Sequence, residues 1–269
     1  MIVDVTQRWR AGRARYRPAR EPIDVARHEV AAIADDTAKR FVIEHHYSGT
    51  YPAARFRFGL YRGELLVGVA VFSVPANPRA LDVLPGGAES GVELGRFVLL
   101  DDVPANGETW FLGRAFEALR GMGIAGVVSF SDPQPRATSA GGVVFPGHIG
   151  TIYQAHNASY LGTSKAERRR LLPDGTMLHN RALTKIRREE RGWRYAMAQL
   201  VEHGAAPLRD EAPRAWLDRE LARITRTVAH PGNHKYAWAL HRRDRRHLPT
   251  SRPYPKVVPS DPRSGGDDR

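Results

Sequence analysis

The chain contains no cysteine. That absence excludes a disulfide framework, a thiolate zinc site and a cysteine nucleophile, so any metal would have to use histidine, carboxylate or tyrosine oxygen. Long apolar runs are lacking too: the longest, Leu65 to Val74, is far short of the ~20 residues that span a bilayer. The amino terminus, where Arg8, Arg10, Arg13 and Arg15 follow Met1-Ile2-Val3-Asp4, has no apolar stretch resembling a secretory signal. A soluble, cytoplasmic protein is expected. Acidic residues are scarce relative to basic ones, 29 against 41, which leaves a formal net charge of +12 and a pI of about 10.4. The excess is carried mainly by arginine, whose fork suits phosphate, so the charge favours a polyanionic partner.

What is present is enough to fold. With 42% hydrophobic residues, five Trp, nine Tyr and nine Phe in 269 residues, wholesale disorder is excluded. Residues 1–27 read as a basic arm and residues 241–269 as a Pro/Arg-rich disordered tail, because neither shows apolar periodicity. The body between them, 28–240, shows no internal repeat.

Within the body, Ala38, Phe41, Val42 and His45 follow the helical period after a cap at Asp35 or Asp36, and the helix ends near Gly49. The alternation in Arg55 to Tyr61 predicts a strand with Phe56, Phe58 and Leu60 on one face. Arg62-Gly63 turns into a second strand, Glu64 to Ser73, and a third spans Val92 to Leu100. Phe111, Leu112, Ala115, Phe116 and Leu119 form the apolar stripe of a helix that ends at Gly121 and Gly123. Gly126 to Asp132 is a short apolar strand stopped by Pro133. Strand, helix and strand in this order imply a right-handed crossover between parallel strands. Ile149 to Tyr160 is expected to be helical, Leu178 to Ala198 has a basic helical pattern, Trp216 to Ile224 is a further helix, and Lys235 to Leu240 a last strand. The class is α+β with a mixed sheet and flanking helices.

Chemistry is concentrated in a few places. Ser129, Ser131 and Asp132 end a parallel strand, where side chains project into the crevice in which open α/β sheets bind ligands. Ser129 and Ser131 share one face, and Arg136, His148 and Tyr153 follow soon after. Asp132-Pro133 does not begin an amino-group methyltransferase signature: Gln134 stands where a second proline is needed, and no aromatic follows. Of His45-His46-Tyr47, His45 continues the apolar stripe and is expected to pack, which leaves His46 as base, metal ligand or substrate contact. His230-Pro231-Gly232-Asn233-His234 reads as a turn rather than a metal site. Arg168, Arg169 and Arg170, with Lys185, Arg187 and Arg188, lie near Trp193 and Tyr195 and are candidates for a backbone-phosphate groove.

His46-Tyr47-Ser48, Glu93-Leu94-Gly95-Arg96, Ser129-Phe130-Ser131-Asp132 and Gly150-Thr151-Ile152-Tyr153-Gln154-Ala155, with Asn157 and Tyr160, occur in an order that resembles the Mom family of phage DNA-modification proteins. The resemblance covers about residues 35–240. It implies a fold similar to the GNAT N-acyltransferases and conversion of adenine in double-stranded DNA to an N6-carbamoylmethyl (acetamido) derivative, which shields phage DNA from host restriction. It places the protein in the host cytoplasm if the chain is phage-encoded. By resemblance and position, Asp132 is the general base or a metal ligand, Ser129 a positioning group, and Tyr47 and Tyr153 stack on or hydrogen-bond the base. His46 ligates a metal or relays a proton, and Arg96, Ser131, Arg136 and Asn157 are candidate substrate contacts. Acetyl-CoA or a related small-molecule donor, and iron at His46 and Asp132, are the associated cofactors.

The sequence departs from an ordinary GNAT enzyme where the CoA pyrophosphate is cradled. It has Asp101-Asp102-Val103-Pro104-Ala105-Asn106-Gly107 there, in which two carboxylates repel pyrophosphate and the proline lacks a donor. An ordinary GNAT acetyltransferase of an amine or protein, and a non-catalytic basic DNA-binding protein, are the alternative readings.

Overall fold

The computed structural model describes residues 5–10, 13–18, 21–178 and 180–256. In the basic arm, Val5–Arg10 (β1) and Arg13–Pro18 (β2) pair as an antiparallel hairpin with Arg8 opposite Arg15. Of the expected arm and tail, residues 1–4, 11, 12, 19, 20 and 257–269 lie outside the described residues.

A strand not anticipated from the sequence, His28–Ala32 (β3), precedes helix Asp35–His45 (α1). Ala38, Phe41 and Val42 are the helix's buried face. The expected aspartate cap is replaced by Ala34, and Asp35 and Asp36 lie in the first turn, where carboxylates complement the helix dipole. Asp35 Oδ1 accepts from the Tyr51 hydroxyl at 2.9 Å and pairs with Arg57 at 3.3 Å. Ala54–Arg62 (β4) and Leu65–Ser73 (β5) form the expected hairpin, and after Gly87–Ser90 (α2) the strand Gly91–Leu99 (β6) adds antiparallel to β5.

Helix Gly107–Gly121 (α3) then crosses over to Gly126–Ser131 (β7), which lies parallel to β6 as the strand–helix–strand pattern requires. Arg136–Ala137 (β8) and Val143–Phe145 (β9) pair beyond it. The helix expected over Ile149 to Tyr160 is confined to Thr151–Ala155 (α4), because Asn157 takes a left-handed φ of 57°, and Ser159–Thr163 (β10) is a strand.

An insertion carries Glu167–Leu171 (β11), Met177–Leu178 (β12), Asn180–Arg187 (α5), Trp193–Glu202 (α6), Pro213–Ile224 (α7) and Arg226–His230 (β13). The helical pattern expected over 178–198 is split by Glu189 and Gly192, both at positive φ. His234–Ala239 (β14) returns to the main sheet, whose order is β3-β4-β5-β6-β7-β14-β10. This is the expected α+β mixed sheet.

One core joins Phe58, Leu60, Phe72, Val92, Leu94 and Val127 to the α3 stripe, while Val69 and Val71 on the opposite face pack under α1. The insertion has its own core of Leu183, Ile186, Leu200, Trp216, Leu217 and Leu221. The packed body also extends beyond the expected limits of 28 and 240. Ile23 belongs to the main core, and Arg252 N–H and the Tyr254 hydroxyl donate to the Tyr160 and Ala158 carbonyls at 2.8 and 2.7 Å, covering the edge strand β10. Among the described residues no helix is long and apolar enough to cross a membrane.

Candidate active site

The site follows from how β6 and β7 part. Their parallel register runs only through Gly91/Gly126, Val92/Val127 and Glu93/Val128. Beyond it β6 bulges: Leu94 stands opposite Phe72 while Arg96 stands opposite Val71, leaving Gly95 as the extra residue. A Cβ at Gly95 would lie 2.5 Å from Ser73 Oγ and 3.3 Å from Pro52 Cγ, so any larger residue would have to displace the Ser73 side chain. Ser129 is fully buried in the resulting fork and donates to the Leu94 carbonyl at 3.0 Å. Ser131 is equally buried, and its hydroxyl has no hydrogen-bond partner among the described residues.

Asp132 follows the strand end. Its Oδ1 accepts from the Gln134 N–H at 2.9 Å and from His230 Nε2 at 3.0 Å. The side chain is 18% exposed, so the carboxylate is recessed within the fork.

Across from it stands an aromatic stack. The rings of His46 and Tyr47 are 4.2 Å apart, Tyr47 lies on Phe145 at 4.6 Å and 21°, and the Arg136 guanidinium is 4.4 Å from the Phe145 centroid. The Tyr47 hydroxyl is 3.3 Å from His148 Nε2. Tyr47 is crowded by protein yet 42% accessible, the signature of a ring lining a recess. His45, as expected, packs its ring on Phe41.

The electrostatics suit a partly dehydrated pocket. Burial, then Arg96 and His148, hold the His46 imidazole well below its ordinary range. Its Nδ1 accepts from the Ser48 N–H at 3.1 Å. Burial pushes His148 down to about 4, with Asp132 opposing and His234 and Arg136 reinforcing the shift. Burial raises the phenols of Tyr47 and Tyr153 and the carboxyl of Glu93, and lowers the guanidinium values of Arg96 and Arg136.

Two expected roles look different in place. Arg96 donates to the Thr50 carbonyl at 2.9 Å and to the Thr50 hydroxyl at 2.7 Å, so it braces the segment that carries Tyr47. Tyr153 is buried against Tyr236 and Trp238 rather than offering an open stacking face.

Asn157 is not gathered into this cluster. It ends α4 and lines a separate cavity of about 830 Å³, with Phe116, His156 and Trp238. The proposed phosphate track divides as well. Arg169 pairs with Glu167, Arg170 donates to the Thr225 hydroxyl at 3.1 Å, and Arg187 faces Asp218 at 3.3 Å. Arg168 and Arg188 are exposed, and Lys185 is half-buried.

The associated cofactors can be tested against these residues. No group of three or more His, Cys, Asp or Glu side chains that could hold a metal occurs among the described residues, so His46 and Asp132 have no third ligand of these types beside them. At the amino end of α3, Ile23 N–H donates to Asn106 Oδ1 at 2.7 Å, Val103 and Glu108 are buried, and Asp102 pairs with Arg62 at 2.5 Å. With Ile23 packed at this helix end and Asp101, Asp102 and Glu108 close to it, these residues are a poor fit for a pyrophosphate there.

His230 was not singled out as a partner of Asp132 because 98 positions separate them and the local signal is that of a turn. Phe145 likewise has no local motif, and only the β8–β9 pairing brings it onto Tyr47.

A sequence profile of the Mom protein family matches residues 27–256. Over 156 residues the chain is 27% identical to methylcarbamoylase mom of Escherichia phage Mu, and the match spans 56% of this chain and 59% of that protein's length. Two solved structures share general architecture: a Bacillus subtilis acetyltransferase in complex with CoA, at 8% identity and a TM-score of 0.35, and a tandem GNAT protein from the clavulanic acid biosynthesis pathway, at 9% and 0.41. Each covers 80% of this chain and 99% of its own. At such scores neither a site nor a chemistry carries across.

Proposed function

The chain belongs to the Mom protein family, and from that membership we propose that it is a transferase that modifies adenine at N6 in double-stranded DNA, installing a carbamoylmethyl group that protects phage DNA from host restriction. The observation that carries the reading is the placement of Asp132, recessed but accessible, beside an exposed Tyr47 ring already stacked on Phe145.

Adenine N6 is a poor nucleophile because its lone pair is delocalised into the ring. A site for it must orient the base and accept a proton as the bond forms. In a duplex the base must first be extruded, at a cost of a few kcal/mol, into a pocket with stacking and hydrogen-bonding groups. Tyr47 is assigned the stacking or hydrogen-bonding contact through its exposed part, Arg136 the polar contact, and Asp132 the base. Ser129 holds the fork closed on Leu94, and His46 and Arg96 set the Tyr47 segment.

In the transfer, a bond forms from N6 to the methylene carbon, the bond from that carbon to the donor's leaving group breaks with its electron pair, and one N6 proton passes to Asp132. Acyl transfer from acetyl-CoA would join N6 to a carbonyl carbon instead, so the donor must present an activated methylene. Arg168, Lys185, Arg187 and Arg188 are assigned the sequence-independent phosphate contacts.

The test is mass spectrometry of nucleosides from DNA of cells expressing the chain. A deoxyadenosine carrying a carbamoylmethyl increment is expected. Unaltered adenine in cells making soluble protein overturns the reading, and an acetyl increment supports the ordinary acetyltransferase.

A further inference from the structure

His230 is 2% exposed and ends β13, the strand that closes the insertion's small sheet. Its Nδ1 accepts from the Gly232 N–H at 3.0 Å. The ring proton therefore sits on Nε2, which donates to Asp132 Oδ1 at 3.0 Å. The turn that sets this tautomer is locked on both sides. Asn233 N–H donates to Ser164 Oγ at 2.8 Å, and Ser164 N–H to the Asn233 carbonyl at 2.8 Å. Gly232 has a φ of +97°, and a Cβ there would collide with the Ser164 carbonyl, so glycine alone lets the backbone close on the imidazole.

A buried histidine with both nitrogens satisfied is commonly a structural residue. The difference here is where its proton points. The second donor to Asp132, the Gln134 N–H, also falls on Oδ1, so both hydrogen bonds fix the carboxylate's rotation through one oxygen. Oδ2 takes none of the hydrogen bonds found among the described residues. The charged and polar groups sensed across from the carboxylate are those of the pocket: Tyr47, Arg136 and His148.

Resting on the function proposed above, we infer that His230 is a positioning residue that aims Asp132, holding Oδ1 so that Oδ2 receives the N6 proton. The insertion thereby reaches into the chemistry of the main sheet through a single side chain. A carboxylate free to rotate would misplace the accepting oxygen, and errors of about 1 Å in reacting groups cost roughly a hundredfold in rate.

The experiment compares the full-length parent with His230→Leu, His230→Gln and Asp132→Asn, by adenine modification in cells at matched soluble protein and by duplex-DNA affinity of the purified proteins. His230→Leu should lower modification about a hundredfold while DNA affinity stays within about twofold. His230→Gln, whose amide can still donate to Oδ1, should recover modification to within about tenfold of the parent. Modification by His230→Leu at the parent level overturns the proposal, as does a Gln variant no better than Leu.

Nitrogen-15 NMR of the parent's His230 ring gives a readout independent of activity. An Nε2–H tautomer whose signal moves in Asp132→Asn supports the proposal, and a proton on Nδ1 overturns it. That measurement decides the pairing even if His230→Leu fails to fold. A parent that leaves adenine unaltered but shows the Nε2–H tautomer would overturn the proposed function and leave the Asp132–His230 pairing in place.

Discussion

Tyr47 lies face to face with Phe145, their centroids 4.6 Å apart and their planes 21° from parallel, although 98 positions separate them in the chain. Phe145 is buried and also carries the Arg136 guanidinium, and the His46 ring lies 4.2 Å from Tyr47, so Tyr47 is flanked by two rings while remaining 42% exposed. An extruded base packing against the exposed part of the Tyr47 ring gains at most the energy of a full stack, about 1–3 kcal/mol, or roughly five- to 150-fold. Tyr47→Ala should lower modification by that order and leave duplex affinity near the parent's, because most affinity resides in phosphate contacts. Tyr47→Phe keeps the stack and loses only the hydroxyl beside His148, so it should retain most activity. Equal activity in Tyr47→Ala would remove the ring from base binding. Nucleoside mass spectrometry and a binding titration read both quantities.

His148 gives the fold an acid sensitivity whose direction is set by burial. Its imidazole, ordinarily near 6.5, is pushed down to about 4 in the folded protein, chiefly by desolvation. Between these values the unfolded chain binds a proton that the folded chain does not, so stability rises with pH across the window and is lost as pH falls from about 6.5 through 4. His46 is shifted in the same direction and adds to the slope. His148→Asn should flatten stability against pH in that window, measured by denaturant titration at several pH values. An unchanged slope would mean that His148 is hydrated in solution.

Much of the sheet is legible in the sequence because period and chemistry agree there. The alternation of Phe56, Phe58 and Leu60, the stripe of Phe111, Leu112, Ala115, Phe116 and Leu119, and the strand ending at Ser131 each occur where expected, and the crossover makes β6 and β7 parallel. Long-range pairing without a strong local period was not legible. Glu167–Leu171 is a charged run that becomes a strand because Arg226–His230 pairs with it, with partners 55 to 63 positions apart along the antiparallel register. Asn157 is of the type that, after glycine, most readily ends a helix in the left-handed conformation, a local signal outweighed in the sequence by the helical run before it. In the site, Asp132 and Tyr47 could be named from position and resemblance. Their supports, His230 and Phe145, come from the insertion and from a three-residue strand, and only the folded chain brings them in.

The arginines sort by what they already hold. Arg170 donates to Thr225 and to the Leu221 carbonyl, tying β11 to the end of α7, so its replacement should act on the fold. Arg170→Ala should cost about 1–3 kcal/mol of stability through the carbonyl and hydroxyl left without their charged donor, and should leave the salt dependence of DNA binding unchanged. Arg188 is exposed, and Arg187 faces Asp218 across a solvent-exposed gap, so both can turn to phosphate at little cost. Each phosphate neutralised releases condensed counterions and contributes about −0.9 to the log-log slope of affinity against salt. Reversing charge at both, Arg187→Glu with Arg188→Glu, should weaken every duplex sequence alike and flatten the slope by about 1–2. A salt titration of the two variants beside the parent separates the roles. If the double reversal leaves the slope as it was, the face of α5 is solvated surface, and the phosphate track must be sought among the exposed arginines at 242, 243, 245 and 246.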